Sequence, residues 1–140
     1  MSLKEEEQLM QKIRFFEDIE AWKKARILAN SIYDLTEKPK FARDFGLRDQ
    51  IQRSAVSVMS NIAEGFETQS DRHFISYLFR AKASAAEVRS HLYIAFDRQY
   101  ILQTEFDSVL KIALETSRLI SGFLSYLGSP RKQLRRSART

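Results

Sequence analysis

The sequence contains no cysteine, which removes disulfide frameworks and thiolate zinc sites from consideration. Glycine and proline are scarce, four and two in 140 residues. A protein built of β-strands needs many more turns, so a few long helices are expected instead. Histidine is nearly as rare. The two present, His73 and His91, would lie about five turns apart on a single helix, and no Ser-His-Asp arrangement can be assembled around either. No glycine motif of the Walker or dinucleotide type occurs. No run approaches the roughly 18 apolar residues of a membrane span. The opening "MSLKEEEQLMQKIRF" carries charge where a secretory leader would be apolar. These absences lead to the expectation of a cytoplasmic protein with no catalytic residues, no metal and no cofactor.

What is present suits one domain with a sizeable core: 44% of residues are apolar and 29% charged, a globular balance. The net charge of +5 is unevenly placed. Arg131, Lys132, Arg135, Arg136 and Arg139 fall in the last ten residues, which hold no acid, leaving 18 charges of each sign in residues 1–130. The body is neutral and the tail holds the excess, so only local faces and the tail can argue for a polyanionic partner. The expected division is a charged extension over 1–17, a helical body over 18–128 and a disordered basic tail over 129–140.

Apolar spacing near 3.5 residues marks four helical segments. In the first, Ala21, Ala25, Leu28, Ile32 and Leu35 form one stripe. Ile19, Trp22, Ala29 and Tyr33 form a second, more than one neighbour can cover. Asp18 is its expected N-cap. Pro39 disfavours helix at Lys38, and Gly46 suggests a turn or weak point. The second segment reads Leu47, Ile51, Ser54 or Ala55, Val58, Ile62 and Phe66, with small residues between. Ser70 is placed to cap the third, where Phe74, Leu78, Ala81, Ala85, Val88, Leu92 and Ala95 follow one another at 4-3-4-3 spacing. Thr104 and Asp107 suggest a capping box for the fourth, which runs through Phe106, Leu110, Ala113, Ser117, Ile120, Leu124 and Leu127 to a stop at Gly128 and Pro130. Short links between four long helices predict an all-α, antiparallel up-down-up-down four-helix bundle.

Two stretches invite a chemical reading. Glu87 and His91 are spaced i,i+4, but a carboxylate-bridged metal in a bundle needs more such pairs. "SNIAEGFE", Ser60 to Glu67, sets Asn61, Glu64 and Gly65 within an amphipathic helix. Its small residues match the small segment "KASAAE", Lys82 to Glu87, so a close helix contact with a register-fixing polar element is the preferred reading over catalysis. Arg53 and Arg89 are the expected partners of Glu64.

"FEDIEAWKKARILANSIY", "FGLRDQIQRSAVSVMSNIAEGFE" and "FISYLFRAKASAAEVRSHLYIA" together resemble the bacterial proteins encoded in intervening sequences of 23S rRNA genes, the S23 ribosomal-protein-like family. The resemblance spans about Phe16 to Leu127. It implies a ring-like homopentamer of four-helix bundles without enzymatic activity, and nucleic acid or a nucleic-acid enzyme as partner. Trp22, Asn61, Glu64 and Gly65 belong to its signature. Met59 stands where the family usually has Pro and Ala83 where it usually has Gly, which bears on the straightness of the second helix and on a helix contact.

The leading functional expectation is therefore an oligomeric RNA- or DNA-binding protein. Its phosphate contacts would come from Arg48, Arg53, Arg80, Lys82 and Arg89 and from the tail cations. No aromatic-interleaved RNA motif is visible. The alternative is an oligomeric scaffold for a partner protein such as a nucleic-acid enzyme.

Overall fold

The computed structural model of the protein describes residues 13–128 and, ahead of them, residues 2, 4, 5 and 8. A 3-10 turn at Phe16–Asp18 leads into α1 (Glu20–Thr36), α2 (Pro39–Arg43), α3 (Phe45–Glu67), α4 (Asp71–Asp97) and α5 (Gln103–Leu127). No strand occurs among the described residues. The basic tail cations Arg131, Lys132, Arg135, Arg136 and Arg139 lie outside them.

Local chemistry sets the helix ends. Pro39 opens α2 in its first turn, after an extended Lys38 (φ −61°, ψ 135°), because a residue before proline avoids helical backbone. Asp44 caps α3, its Oδ1 accepting the Leu47 N–H at 3.1 Å. Gly46 thus sits inside the first turn of α3 and makes no break. Ser70 caps α4 as expected, its Oγ accepting the His73 N–H at 3.3 Å.

Two caps differ from expectation. The Asp18 carboxylate accepts the N–H groups of Arg14 and Phe15, at 3.1 and 3.0 Å. It closes the turn upstream of α1, leaving Ile19 at the capping position. At α5 the cap is Leu102, and Glu105 reaches back to accept the Leu102 N–H at 2.8 Å. The box expected at Thr104 and Asp107 therefore starts two residues earlier, with glutamate as its acid.

The apolar stripes meet in one core. Ala21, Ala25, Leu28, Ile32 and Leu35 of α1 are buried, as are Ile51, Ala55, Val58, Ile62 and Phe66 of α3. So is the whole 4-3-4-3 series of α4, from Phe74 to Ala95. Ile13 and Ile19 close the core from the N-terminal side. α3 packs on α1 and α4, and α5 packs on α4 and α1, so each long helix has two neighbours. The α1 surplus stripe divides: Ile19 and Ala29 are buried, Trp22 is half-buried and Tyr33 is exposed. No helix among the described residues is long and apolar enough to cross a membrane.

Candidate functional site

"SNIAEGFE" forms part of the contact between α3 and α4. Ser54 Oγ donates to Glu87 at 2.8 Å, and the hydroxyls of Ser57 and Ser84 share a hydrogen bond of 2.9 Å. Asn61 Nδ2 donates to the Ser57 carbonyl and hydroxyl at 2.8 and 2.9 Å. At the far end a Cβ added to Gly65 would stand 2.6 Å from Tyr77 Cβ and 2.9 Å from Phe74 Cδ1. Partners on α4 fall in number as those on α3 rise, so these two helices run in opposite directions. The seam is a ladder of small hydroxyl residues closed by glycine, where polar groups of both helices satisfy one another.

Several expectations are corrected here. Glu64 is exposed and makes no ion pair among the described residues. Arg53 stands eleven residues away, about 16 Å along the helix axis. The register puts Arg89 near Gln52, equally distant. α3 runs unbroken through Met59. Ala83 is exposed, so its methyl lies outside the α3–α4 contact. Glu87 accepts from Ser54 across the seam, while His91 Nδ1 is enclosed without a hydrogen-bond partner. Among the described residues no group of three or more His, Asp or Glu could hold a metal ion.

The cations named from the sequence do not converge on one patch. Arg48 is tied down: one guanidinium nitrogen donates to the Ala42 carbonyl at 3.0 Å, Nε donates to Asp49 at 3.2 Å, and the group lies over the Phe45 ring. Arg53 lines an open groove of about 670 Å³ on the α1–α3 flank, with Tyr33, Val56, Ser60, Asn61 and Glu64. Arg80 lies over the ring of Tyr77, 4.9 Å from its centroid, on the side of α4 nearer α3. Trp22 packs edge-on against Phe16, with ring centroids 5.2 Å apart.

Lys82 and Arg89 belong elsewhere. They stand on α4 at 4-3-4 spacing with Ala86 and Tyr93, and Tyr93 packs edge-on against Phe106 of α5, 5.1 Å between centroids. That spacing puts them on the flank shared with α5. On α5, Glu105 pairs with Lys38 at 2.5 Å and Glu115 with Lys24 at 3.0 Å, which fixes the α1 side of that helix. Leu114 lies on the α4 side of α5, and Lys111 and Arg118 are exposed on its outer face beside Glu115, their i,i+4 and i,i+3 neighbour. The ring contacts Phe74–Phe123 and Tyr93–Phe106 set the register: Arg118 lies level with Phe79, and Lys111 level with Ala86.

This α4–α5 flank therefore joins Lys82, Arg89, Lys111 and Arg118. Exposed on it are Phe79 (58%), Tyr93 (53%) and Leu114 (46%). Arg89 is half-buried, and its Nε is enclosed with no hydrogen-bond partner. Carboxylates are interspersed with these cations. Asp107 accepts from Gln103 at 2.9 Å, and Asp97 lies a turn beyond Tyr93. Glu115 is bonded to Lys24, which holds its carboxyl below the ordinary value, with weaker attraction from Lys111 and Arg118. As candidate binding residues, Phe79, Tyr93, Lys111 and Arg118 escaped the sequence reading. Their signal was present as outward positions at helical spacing, but it was split between two helices.

The sequence profile of the 23S rRNA-intervening sequence proteins matches residues 17–122, from the 3-10 turn through most of α5. The chain belongs to the 23S rRNA-intervening sequence protein family. A crystal structure of a protein of unknown function from the S23 ribosomal protein family of Bacteroides thetaiotaomicron superposes with a TM-score of 0.70. The two are 26% identical, over 74% of this chain and 97% of that one. No curated protein matches the sequence. The family match takes in the whole polar seam and all four cations of the α4–α5 flank.

Proposed function

We propose that this family member is a non-enzymatic, cytoplasmic nucleic-acid-binding protein acting through phosphate neutralisation, and that its four long helices form an antiparallel up-down-up-down bundle assembled as a ring-like homopentamer. The observation that supports binding is the α4–α5 flank, where the four cations Lys82, Arg89, Lys111 and Arg118 outnumber the carboxylates Asp107 and Glu115, the latter paired with Lys24. A polyanion releases counterions at such a surface, and its affinity then falls with salt. The family's link to an rRNA intervening sequence points in the same direction. The test is fluorescence anisotropy of labelled RNA and DNA oligonucleotides against the full chain over a salt series. Replacing Lys82, Lys111 and Arg118 with Gln should lower the log–log salt slope by about 2–3 units. An unchanged slope, or no binding at low salt, refutes the reading.

A scaffold for a partner protein is the second reading. It is favoured by the α1–α3 flank, where Tyr33 and Val56 are exposed along the groove. Light scattering on a sizing column tests the assembly in either case. A homopentamer has five times the 16.4 kDa chain mass, and a concentration-independent monomer rules it out.

A further inference from the structure

The geometry points to single-stranded nucleic acid, held on the α4–α5 flank with bases stacked on Phe79 and Tyr93, as the ligand of this protein. The inference rests on the nucleic-acid reading above and narrows it to a strand type and a surface. Phe79 and Tyr93 are more than half exposed. They are fourteen residues apart on one straight helix, about 21 Å along its axis. Lys82 and Arg89 lie between them on the same flank, and Lys111 and Arg118 adjoin from α5.

A single strand has what this arrangement can use. Its bases are free to splay onto aromatic faces while a row of cations follows the phosphates. The separation of the two rings is on the scale of the shortest single-strand sites, about four nucleotides. A duplex keeps its bases stacked inside, so it could meet the cations but would leave both rings facing solvent. A second copy of this chain fits less well. The opposite flank offers two acids, Asp49 and Glu64, beside Arg53, with Tyr33 and Val56 exposed among small and polar side chains. It supplies too little negative charge to compensate four desolvated cations.

The test compares a labelled twelve-nucleotide oligo(U) or oligo(dT) with a mixed-sequence duplex of equal length, by anisotropy on the full chain over the same salt series. The wild type should prefer the single strand. Phe79→Leu and Tyr93→Leu keep an apolar side chain but lose the ring face. Each should weaken single-strand binding roughly five- to hundredfold, the cost of one stacked base, with the salt slope and duplex binding unchanged. Phe79→Trp should restore binding. Light scattering and helical circular dichroism of each variant should match the wild type.

Equal affinity for single strand and duplex overturns this inference and leaves phosphate binding standing, whereas absence of any binding refutes the nucleic-acid reading itself. Leu variants that bind like the wild type, or that change the particle mass, also overturn it; in the latter case the flank is a contact between copies.

Discussion

Gly65 offers the sharpest test of how α3 and α4 are held together. A methyl placed there would stand 2.6 Å from Tyr77 Cβ and 2.9 Å from Phe74 Cδ1, where carbon atoms prefer roughly 3.5–4.0 Å. The Phe74 ring can turn aside. Tyr77 Cβ is fixed to its own backbone, so relief requires the helices to part by about an ångström. Overpacking of this kind costs about 1–3 kcal/mol and sometimes more. Against it stands the helix preference of alanine over glycine, about 0.8–1.0 kcal/mol.

With the rigid neighbour placing the clash at the upper end, Gly65→Ala should destabilise by about 1–2 kcal/mol net. At about 3–5 °C per kcal/mol for a chain of this size, Tm should fall by about 3–10 °C, read by circular dichroism at matched protein concentration. Gly122 provides the control: a Cβ there meets nothing within 4 Å. Gly122→Ala should stabilise by about 0.5–1 kcal/mol. The same chemical change thus has opposite signs at two helical glycines. A Gly65→Ala protein as stable as the wild type would refute the close contact.

Three further outcomes follow from the helix ends. Gln99, just past the end of α4, has φ 61°, a left-handed conformation that costs a side chain about 1–2 kcal/mol; Gln99→Gly should raise stability by about 0.5–1 kcal/mol in urea unfolding. Asp44 accepts from the Leu47 N–H at 3.1 Å and from the Tyr100 hydroxyl at 3.0 Å. Asp44→Ala should therefore cost about 1–2 kcal/mol, and Asp44→Asn less. The Glu105 carboxyl is held below its ordinary value of 4.5 first by the Lys38 hydrogen bond and then by the Leu102 N–H. A depressed carboxylate stabilises the fold above its unfolded value and loses that contribution as pH falls through the folded value. The gap between wild type and Glu105→Gln should stay near 1 kcal/mol or less at neutral pH, and close as pH drops below 4.5; a gap that widens in acid contradicts the pairing.

Burial was most legible in α4 and less so in α5, where Val109, Thr116 and Phe123 are buried while the expected Leu110, Ser117 and Leu124 are only partly so. Every position of the α4 series from Phe74 to Ala95 is buried, because a helix pays for a wrong apolar residue at each turn and the pattern corrects itself over seven positions. Caps were less legible. Asp18 and Thr104 are both good capping types, yet the observed caps are Ile19 and Leu102. The Asp18 carboxylate serves the Arg14 and Phe15 N–H groups ahead of the helix instead, and Glu105 reaches back to the Leu102 N–H. Nothing in one strand of letters says which N–H a carboxylate will choose. The partners of Glu64 were misjudged for a related reason: Arg53 and Arg89 are chemically suitable, but the rise of the helix and the α3–α4 register put both three turns away.

The flank that matters most was hidden by the same geometry. Lys82 and Arg89 were found as cations, whereas Phe79 and Tyr93 are ordinary aromatics in a helix that also buries Phe74 and half-buries Tyr77. Only the facing of α5 shows which aromatics are outside. That facing is set by the buried stripe of Phe106, Ala113 and Ile120, with ion pairs from Lys24 and Lys38 along the α1 side of the helix. Glu115 is the i,i+4 neighbour of Lys111 and the i,i+3 neighbour of Arg118, so its pairing with Lys24 decides how much of its charge those two cations meet. The surface charge of the flank thus follows from contacts made on the other side of the same helix. Replacing Lys24 and Lys38 with Met would test this dependence, because unpaired Glu115 lies within reach of Lys111 and Arg118. The pair of substitutions should weaken nucleic-acid binding without touching the flank itself, and binding that stays at the wild-type level would separate the two sides of α5.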